Sequence, residues 1–476
     1  QGGEAMDATQ ALRARHQADG AHGDRRHLDD LGDSSDSSSG SRMRETDALV
    51  ASSPAGMPAS LAKLAAMSAI SGANSGYAIG IVSFVLVRVR SQLSGVQQGA
   101  IGAAVYGGLL VGCPLGALLA RRWGRRVATL IGEVLIISAC MFGGLVAPLC
   151  WASTTLFVMS LLAWRITVGM GVGICITVKP LYIAELAPDT HRGKLLALMG
   201  VANAVSIMGA HSIDVVADGG AGTASGWWCA EILFGILSPI LLLLLLLYMP
   251  ESPAFLADGC APVAAARAAV PEEQPEQAAE EEARHTAARR RAVGLCVALD
   301  LAREFTGGAV LATYAKQIYM EHRAPGAPPE SDLTYGLCTV SLFAVGNLLT
   351  ALLIDRVGRR PPLLLGLVGI AITMGTFAAT DEALFLVLFG LFFGPVFSVW
   401  TVLLPELLPP RDRAKLIGWL MALPFAFAFL VVSTFPLLDH NSTRYAFAVY
   451  AALAAALAAL FYFLLPETLG LSFDSV

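Results

Sequence analysis

Asp300, Arg303 and Glu304 stand at i, i+3 and i+4 in an otherwise apolar run, a spacing that puts them on one face of a helix. Two chemistries are open to such a set. It can be a self-neutralising pair buried in a bundle, or a site for a charged solute or a proton. Arg165 sits in another apolar run, and His211 and Asp214, three residues apart, form a further polar pair. Ionisable groups in such surroundings are costly and commonly functional. No nucleophile–base pair, ligand cluster or cofactor loop is visible, so neither an enzyme nor a bound metal or cofactor is expected. The eight cysteines are scattered without C-x-x-C spacing and read as free thiols.

The elements that must position these groups are membrane spans. The 476 residues are 55% hydrophobic and only 14% charged. Apolar runs near the roughly 20 residues that cross a bilayer as a helix recur along the chain. Twelve are expected, near 61–87, 97–120, 127–148, 155–178, 195–217, 228–249, 293–319, 335–355, 362–380, 383–404, 416–438 and 445–465. The polar stretch 254–291 divides them six and six. The expected organisation is a polar, disordered tail over 1–58, a bundle over 59–253, a cytoplasmic loop over 254–291 and a second bundle over 292–476. An acidic-then-basic surface helix is expected near 272–291.

Basic residues crowd alternate loops: Arg121, Arg122, Arg125 and Arg126; Arg192 and Lys194; Arg289, Arg290 and Arg291; Arg356, Arg359 and Arg360; Arg411, Arg413 and Lys415. The positive-inside rule makes these loops cytoplasmic, with both chain ends inside. The plasma membrane is the expected location, and the lipid bilayer and a small solute are the expected partners. Nothing points to nucleic acid.

Three motifs occur twice and in the same order. "ALLARRWGRR" (117–126) returns as "ALLIDRVGRR" (351–360). Glu185-Leu-Ala-Pro, with Arg192, returns as Glu406-Leu-Leu-Pro, with Arg413; Pro250-Glu251-Ser252 returns as Pro466-Glu467-Thr468. The chain therefore reads as a tandem duplication of six spans, a plan on which secondary transporters are built. Arginine and carboxylate make strong, directional pairs. Arg125, Arg126, Glu185, Arg192, Glu251, Arg359, Arg360, Glu406, Arg413 and Glu467 form the expected gating network, with pairs spanning the two halves at the inner rim. Glu133 and Glu231 read as interface or packing residues. The "GMGVGI" stretch reads as a close helix–helix contact.

These motifs, with "SGYAIGIVS" (75–83), "WRITVGMGVGI" (164–174), "PLYIAELAPDTHRGK" (180–194), "PESP" (250–253) and "PETLGLSFD" (466–474), resemble the sugar porters, the glucose-transporter-like branch of the major facilitator superfamily. The resemblance implies an all-α membrane fold of twelve helices in two pseudo-symmetric bundles around a central solute site. It places solute contacts on Arg303, Glu304, Thr306, Tyr314, Trp400 and Phe425.

Departures from the family pattern concentrate at that site. Proton-coupled members carry an Asp after Gly-Tyr in the first span, where this chain has Ala78, so Arg165 loses its acid partner. The amides usual in the seventh span are replaced by Arg303 and Glu304, and Met199, Gly200, Pro424 and Ala428 stand where further amides are usual. Facilitative transport of a small polar solute, a hexose such as glucose, is the leading expectation. A proton-coupled symporter using Glu304 or Asp300, and a non-transporting sugar sensor, are the alternatives.

Overall fold

The structure, a computed structural model, describes residues 60–467 apart from 90–92, 151, 219–231, 233–234, 261–274, 323–325, 327–329, 409 and 438–439. In a bilayer every main-chain polar group must be satisfied within its own segment, so apolar runs of this length become helices. The first half contains α1 (Leu61–Gly80), α2 (Val82–Val89), α3 (Gly95–Trp123), α4 (Arg125–Leu145), α5 (Thr154–Leu186), α6 (Asp189–Asp218), α7 (Leu237–Leu246) and the short α8 (Pro253–Cys260). The second contains α9 (Pro275–Glu304), α10 (Gly308–Glu321), α11 (Glu330–Val357), α12 (Arg360–Thr380), α13 (Ala383–Leu407), α14 (Pro410–Thr434) and α15 (His440–Leu464). Among the described residues nine helices are long and apolar enough to cross a membrane, and none of the described segments is a strand.

Local chemistry sets the helix ends. Ser94 and Gln97 form a reciprocal capping box at the start of α3: the Ser94 hydroxyl accepts the Gln97 N–H at 3.3 Å, and the Gln97 side chain accepts the Ser94 N–H at 2.9 Å. The expected seventh span is broken rather than continuous. Residues 305–307 form a turn between α9 and α10, and Gly307 adopts φ +86°, a left-handed conformation that ends one helix and opens the next. The surface helix expected near 272–291 exists from Pro275 and runs straight into the span.

Within the first half α3 packs on α5 and α1 on α6; within the second, α11 packs on α13 and α12 on α15. Across the halves α3 meets α14 and α6 meets α11. Small residues permit these approaches. The three glycines of "GMGVGI" lie against α3 and α4, as a helix–helix contact requires. Large apolar side chains such as Leu118, Met159, Leu352 and Phe463 face outward, where a bilayer covers them. Cys113, Cys140, Cys175 and Cys296 are free and buried.

Candidate functional site

The C-terminal turn of α9 carries the three charges singled out by spacing. All three are buried. Asp300 Oδ1 accepts the Trp400 indole N–H at 2.7 Å, joining α9 to α13. Arg303 Nε lies 3.2 Å from Glu304 Oε1. The Arg303 guanidinium is also enclosed by rings: its carbon lies 4.2 Å from the Trp400 ring centre, 5.0 Å from Phe425 and 5.5 Å from Phe397. A cation over aromatic faces gains from their quadrupoles, most with tryptophan. The carbonyl end of a helix dipole favours Arg303 further. Two atoms of this cluster, Arg303 Nη1 and Asp300 Oδ2, find no hydrogen-bond partner among the described residues.

This arrangement changes the part expected of several residues. The Arg303 guanidinium lies over Trp400 and Phe425, so on that side these rings back a polar group. Thr306, in the turn after α9, gives its hydroxyl to the carbonyl of Ala302 at 2.9 Å. Tyr314 donates to the Val432 carbonyl at 3.0 Å and stacks on Phe435. It also abuts Gly102 of α3, and its neighbour Thr313 bonds the Tyr106 hydroxyl at 3.2 Å. Tyr314 thus belongs to the seam between α3 and the second half.

Arg165 is fully buried. Its Nη1 donates to the main-chain carbonyl of Ala78 at 2.8 Å, and its guanidinium lies 5.4 Å from the Trp164 ring centre. His211 and Asp214 fall in α6, but their side chains lie outside the described residues, as does Glu231. A second interior network surrounds Glu133, at an interface between helices. Glu133 of α4 pairs with Lys179 of α5 at 2.5 Å, and also accepts from Asn74 of α1 at 2.5 Å and from the Cys175 thiol at 3.2 Å. Ser238 of α7 extends it to Asn74 at 3.2 Å. The signal was present as two opposite charges, Glu133 and Lys179, in separate apolar runs.

At two matching junctions the duplicated motifs build the same joint twice. Arg125 makes a two-pronged pair with Glu185, at 2.9 and 2.8 Å, and Arg359 pairs with Glu406 at 3.2 Å. Glu251 accepts the main-chain N–H of Arg125 at 2.8 Å and of Arg126 at 3.2 Å; Glu467 accepts those of Arg359 at 2.9 Å and Arg360 at 3.1 Å. Each carboxylate thereby caps a helix N-terminus, where unsatisfied N–H groups and the dipole favour an anion. The Arg126 and Arg360 side chains reach the carbonyls of Leu247 and Tyr462. Gly124 and Gly358 precede the capped helices with φ +91° and +96°, and a Cβ on either would run into the capping glutamate.

Of the ion pairs expected to span the two halves, the two that are seen, Arg125–Glu185 and Arg359–Glu406, each join partners of one half. The reason is geometric: the capping glutamate closes the end of each six-span unit onto that unit's own second-to-third junction. Arg192 donates to the Ala184 carbonyl at 2.9 Å, and the Arg413 side chain lies outside the described residues.

A family model described as "Sugar (and other) transporter" matches residues 47–476. The galactose-proton symporter of Escherichia coli K12 is 26% identical over 448 residues, covering 86% of this chain and 92% of that protein. The glucose facilitated diffusion protein of Zymomonas mobilis is 25% identical over 467 residues, covering 87% and 96%. Among solved structures, the major facilitator superfamily proton:xylose symporter XylE bound to 6-bromo-6-deoxy-D-glucose superposes with a TM-score of 0.71 at 22% identity, over 87% of this chain and 97% of that one.

Proposed function

The chain belongs to the sugar (and other) transporter family, and on that premise we propose that it carries a hexose such as glucose down its gradient by alternating access. It is an integral, multi-pass membrane protein of the major facilitator fold. The observation that carries the sugar reading is the unmatched pair on α9. Arg303 Nη1 is a buried donor and Asp300 Oδ2 a buried acceptor, both without partners among the described residues. A sugar hydroxyl both donates and accepts, so it satisfies such a pair as an amide side chain would. Leaving buried polar atoms unmet is costly, which gives solute binding its driving force.

Transport without a proton is supported by the Arg165 contact. At this point the guanidinium meets a main-chain carbonyl, because Ala78 stands where resembling proton-coupled transporters carry an acid. A second reading, proton symport, rests on Asp300 and Glu304, two buried carboxylates at the site itself. The relatives include both a galactose-proton symporter and a glucose facilitated diffusion protein.

The bundles over 59–253 and 292–476 are the bodies proposed to rock, each stiffened by its own rim joint. Both chain ends are assigned to the cytoplasm and the protein to the plasma membrane. Counterflow tests the proposal: purified protein in vesicles loaded with unlabelled glucose takes up labelled glucose transiently. Vesicles that show no overshoot with any hexose would overturn the sugar reading.

A further inference from the structure

A groove runs between α12 and α15 on the outward face of the second half. Leu364, Val368 and Ile372 of α12 line it, facing Ala455, Ala459 and Tyr462 of α15. Its volume is about 500 Å³. From Leu364 to Ile372, at 1.5 Å per residue, it extends for about 12 Å along the helix. Val368, Ile372 and Tyr462 are exposed, so the groove opens toward the surface that a bilayer covers. Ala455 and Ala459, one turn apart and also exposed, are too short to fill the space beside the longer side chains of α12.

The trough is apolar, but one end of it meets a cation. Arg360 opens α12 and stands at i before Leu364 at i+4 and Val368 at i+8, on one helical face. Its Nη2 donates to the Tyr462 carbonyl, and its guanidinium carbon lies 5.3 Å from the centre of the Tyr462 ring. These two contacts hold the guanidinium beyond the last lining residue of α15, where α12 begins and α15 ends. A guanidinium carries five N–H donors, and the Tyr462 carbonyl takes one of them. Helix ends are where a bilayer places its headgroups, and basic pockets there recognise anionic ones.

We propose that the groove holds one acyl chain of an anionic phospholipid, with the headgroup phosphate on the Arg360 guanidinium just past the groove's end. Charge and shape together select this occupant. A soluble anion would meet the cation and leave the trough empty, and a helix of a second copy would fill the trough and bring no anion to Arg360. The bound lipid fills the space between α12 and α15 and holds them together as parts of one bundle. The site uses neither α9 nor its charges, and stands whatever solute is carried.

The test is native mass spectrometry of the purified, delipidated full-length protein, titrated with phosphatidylglycerol or with phosphatidylcholine of the same acyl chains. Phosphatidylglycerol is expected to occupy one saturable site about fivefold more tightly than phosphatidylcholine, the worth of one basic side chain beside an anionic lipid. Arg360→Gln is expected to remove that preference. Ala459→Trp, which fills the groove and leaves the arginine in place, is expected to weaken both lipids. Arg290→Gln, at an exposed arginine on α9, is expected to change neither. Equal affinity of the wild-type chain for the two lipids would overturn the proposal, as would equal losses in Arg290→Gln and Arg360→Gln. Unaltered phosphatidylglycerol binding in Ala459→Trp would overturn it too. Displacement of the lipid by soluble glycerol phosphate as effectively as by phosphatidylglycerol would assign Arg360 to a free anion, and would also overturn it. If Arg360→Gln does not fold, the wild-type preference and Ala459→Trp decide.

Discussion

Glu251 accepts a hydrogen bond from the main-chain N–H of Arg125 at 2.8 Å, across 126 positions of sequence. The same carboxylate reaches the N–H of Arg126, so one side chain closes the sixth-span exit onto the start of α4. Glu467 does the same to Arg359 and Arg360 at the start of α12. Each six-span unit is thus fastened to itself, which suits halves that tilt as bodies.

The caps should be visible in stability. Glu251→Ala removes an ionised acceptor from two N–H groups and is expected to cost about 1–3 kcal/mol. Gly124→Ala forces a side chain into φ +91°, ψ 167°, a region nearly reserved for glycine, and is expected to cost a similar amount. Thermal unfolding of purified protein measures both. A Gly124→Ala protein as stable as wild type would contradict the cap.

Rim pairing should govern cycling more than affinity. Arg125→Lys keeps the charge but loses the two-pronged geometry with Glu185, and Glu406→Ala frees Arg359 from its carboxylate. Both are expected to slow turnover several-fold while solute Kd stays within about twofold, since neither group lies at the α9 site. Exchange rates and equilibrium binding separate the two quantities. Normal cycling with lost affinity would show the assignment to be wrong.

The Glu133–Lys179 pair offers a double-mutant cycle. Breaking a buried pair by removing one partner costs about 3–5 kcal/mol, whereas replacing both by apolar groups is often neutral. Glu133→Leu and Lys179→Met are therefore expected to destabilise singly and to recover most of the loss together. Strict additivity in Tm would mean that the pair is not energetically coupled.

At the α9 site, Asp300→Asn and Arg303→Gln are expected to weaken solute binding by tenfold or more, about 1.4 kcal/mol or above. Thr306→Ala is expected to change it by less than twofold, because that hydroxyl is spent on the Ala302 carbonyl. Titration calorimetry with glucose checks the order. A larger effect at Thr306 than at Asp300 would relocate the site.

Much of the fold was legible because a bilayer demands long apolar runs, and the duplicated Gly-Arg-Arg, Glu-x-x-Pro and Pro-Glu motifs mark matching junctions. The break between α9 and α10 was not, although Thr306-Gly307-Gly308 marks a weak point, because an apolar run hides where a helix is interrupted. Whether Arg125 pairs within or across halves could not be read either, since Glu185 and Glu406 offer the same chemistry in both. Arg303 and Asp300 were legible as one helical face. That Arg303 would lie over Trp400 and Phe425 depends on packing between three helices, which residue spacing does not encode. Main-chain donors at Arg125 and Arg359 were invisible for a similar reason: the side chains drew attention, while the N–H groups belong to every residue.

The claim of passive hexose transport is tested most directly in proteoliposomes carrying an imposed inward proton gradient. Labelled glucose is predicted to enter until inside and outside concentrations are equal, at a rate indifferent to the gradient. Accumulation above the external concentration, lost on adding a protonophore and in Glu304→Gln, would contradict it and assign the chain to the symporters.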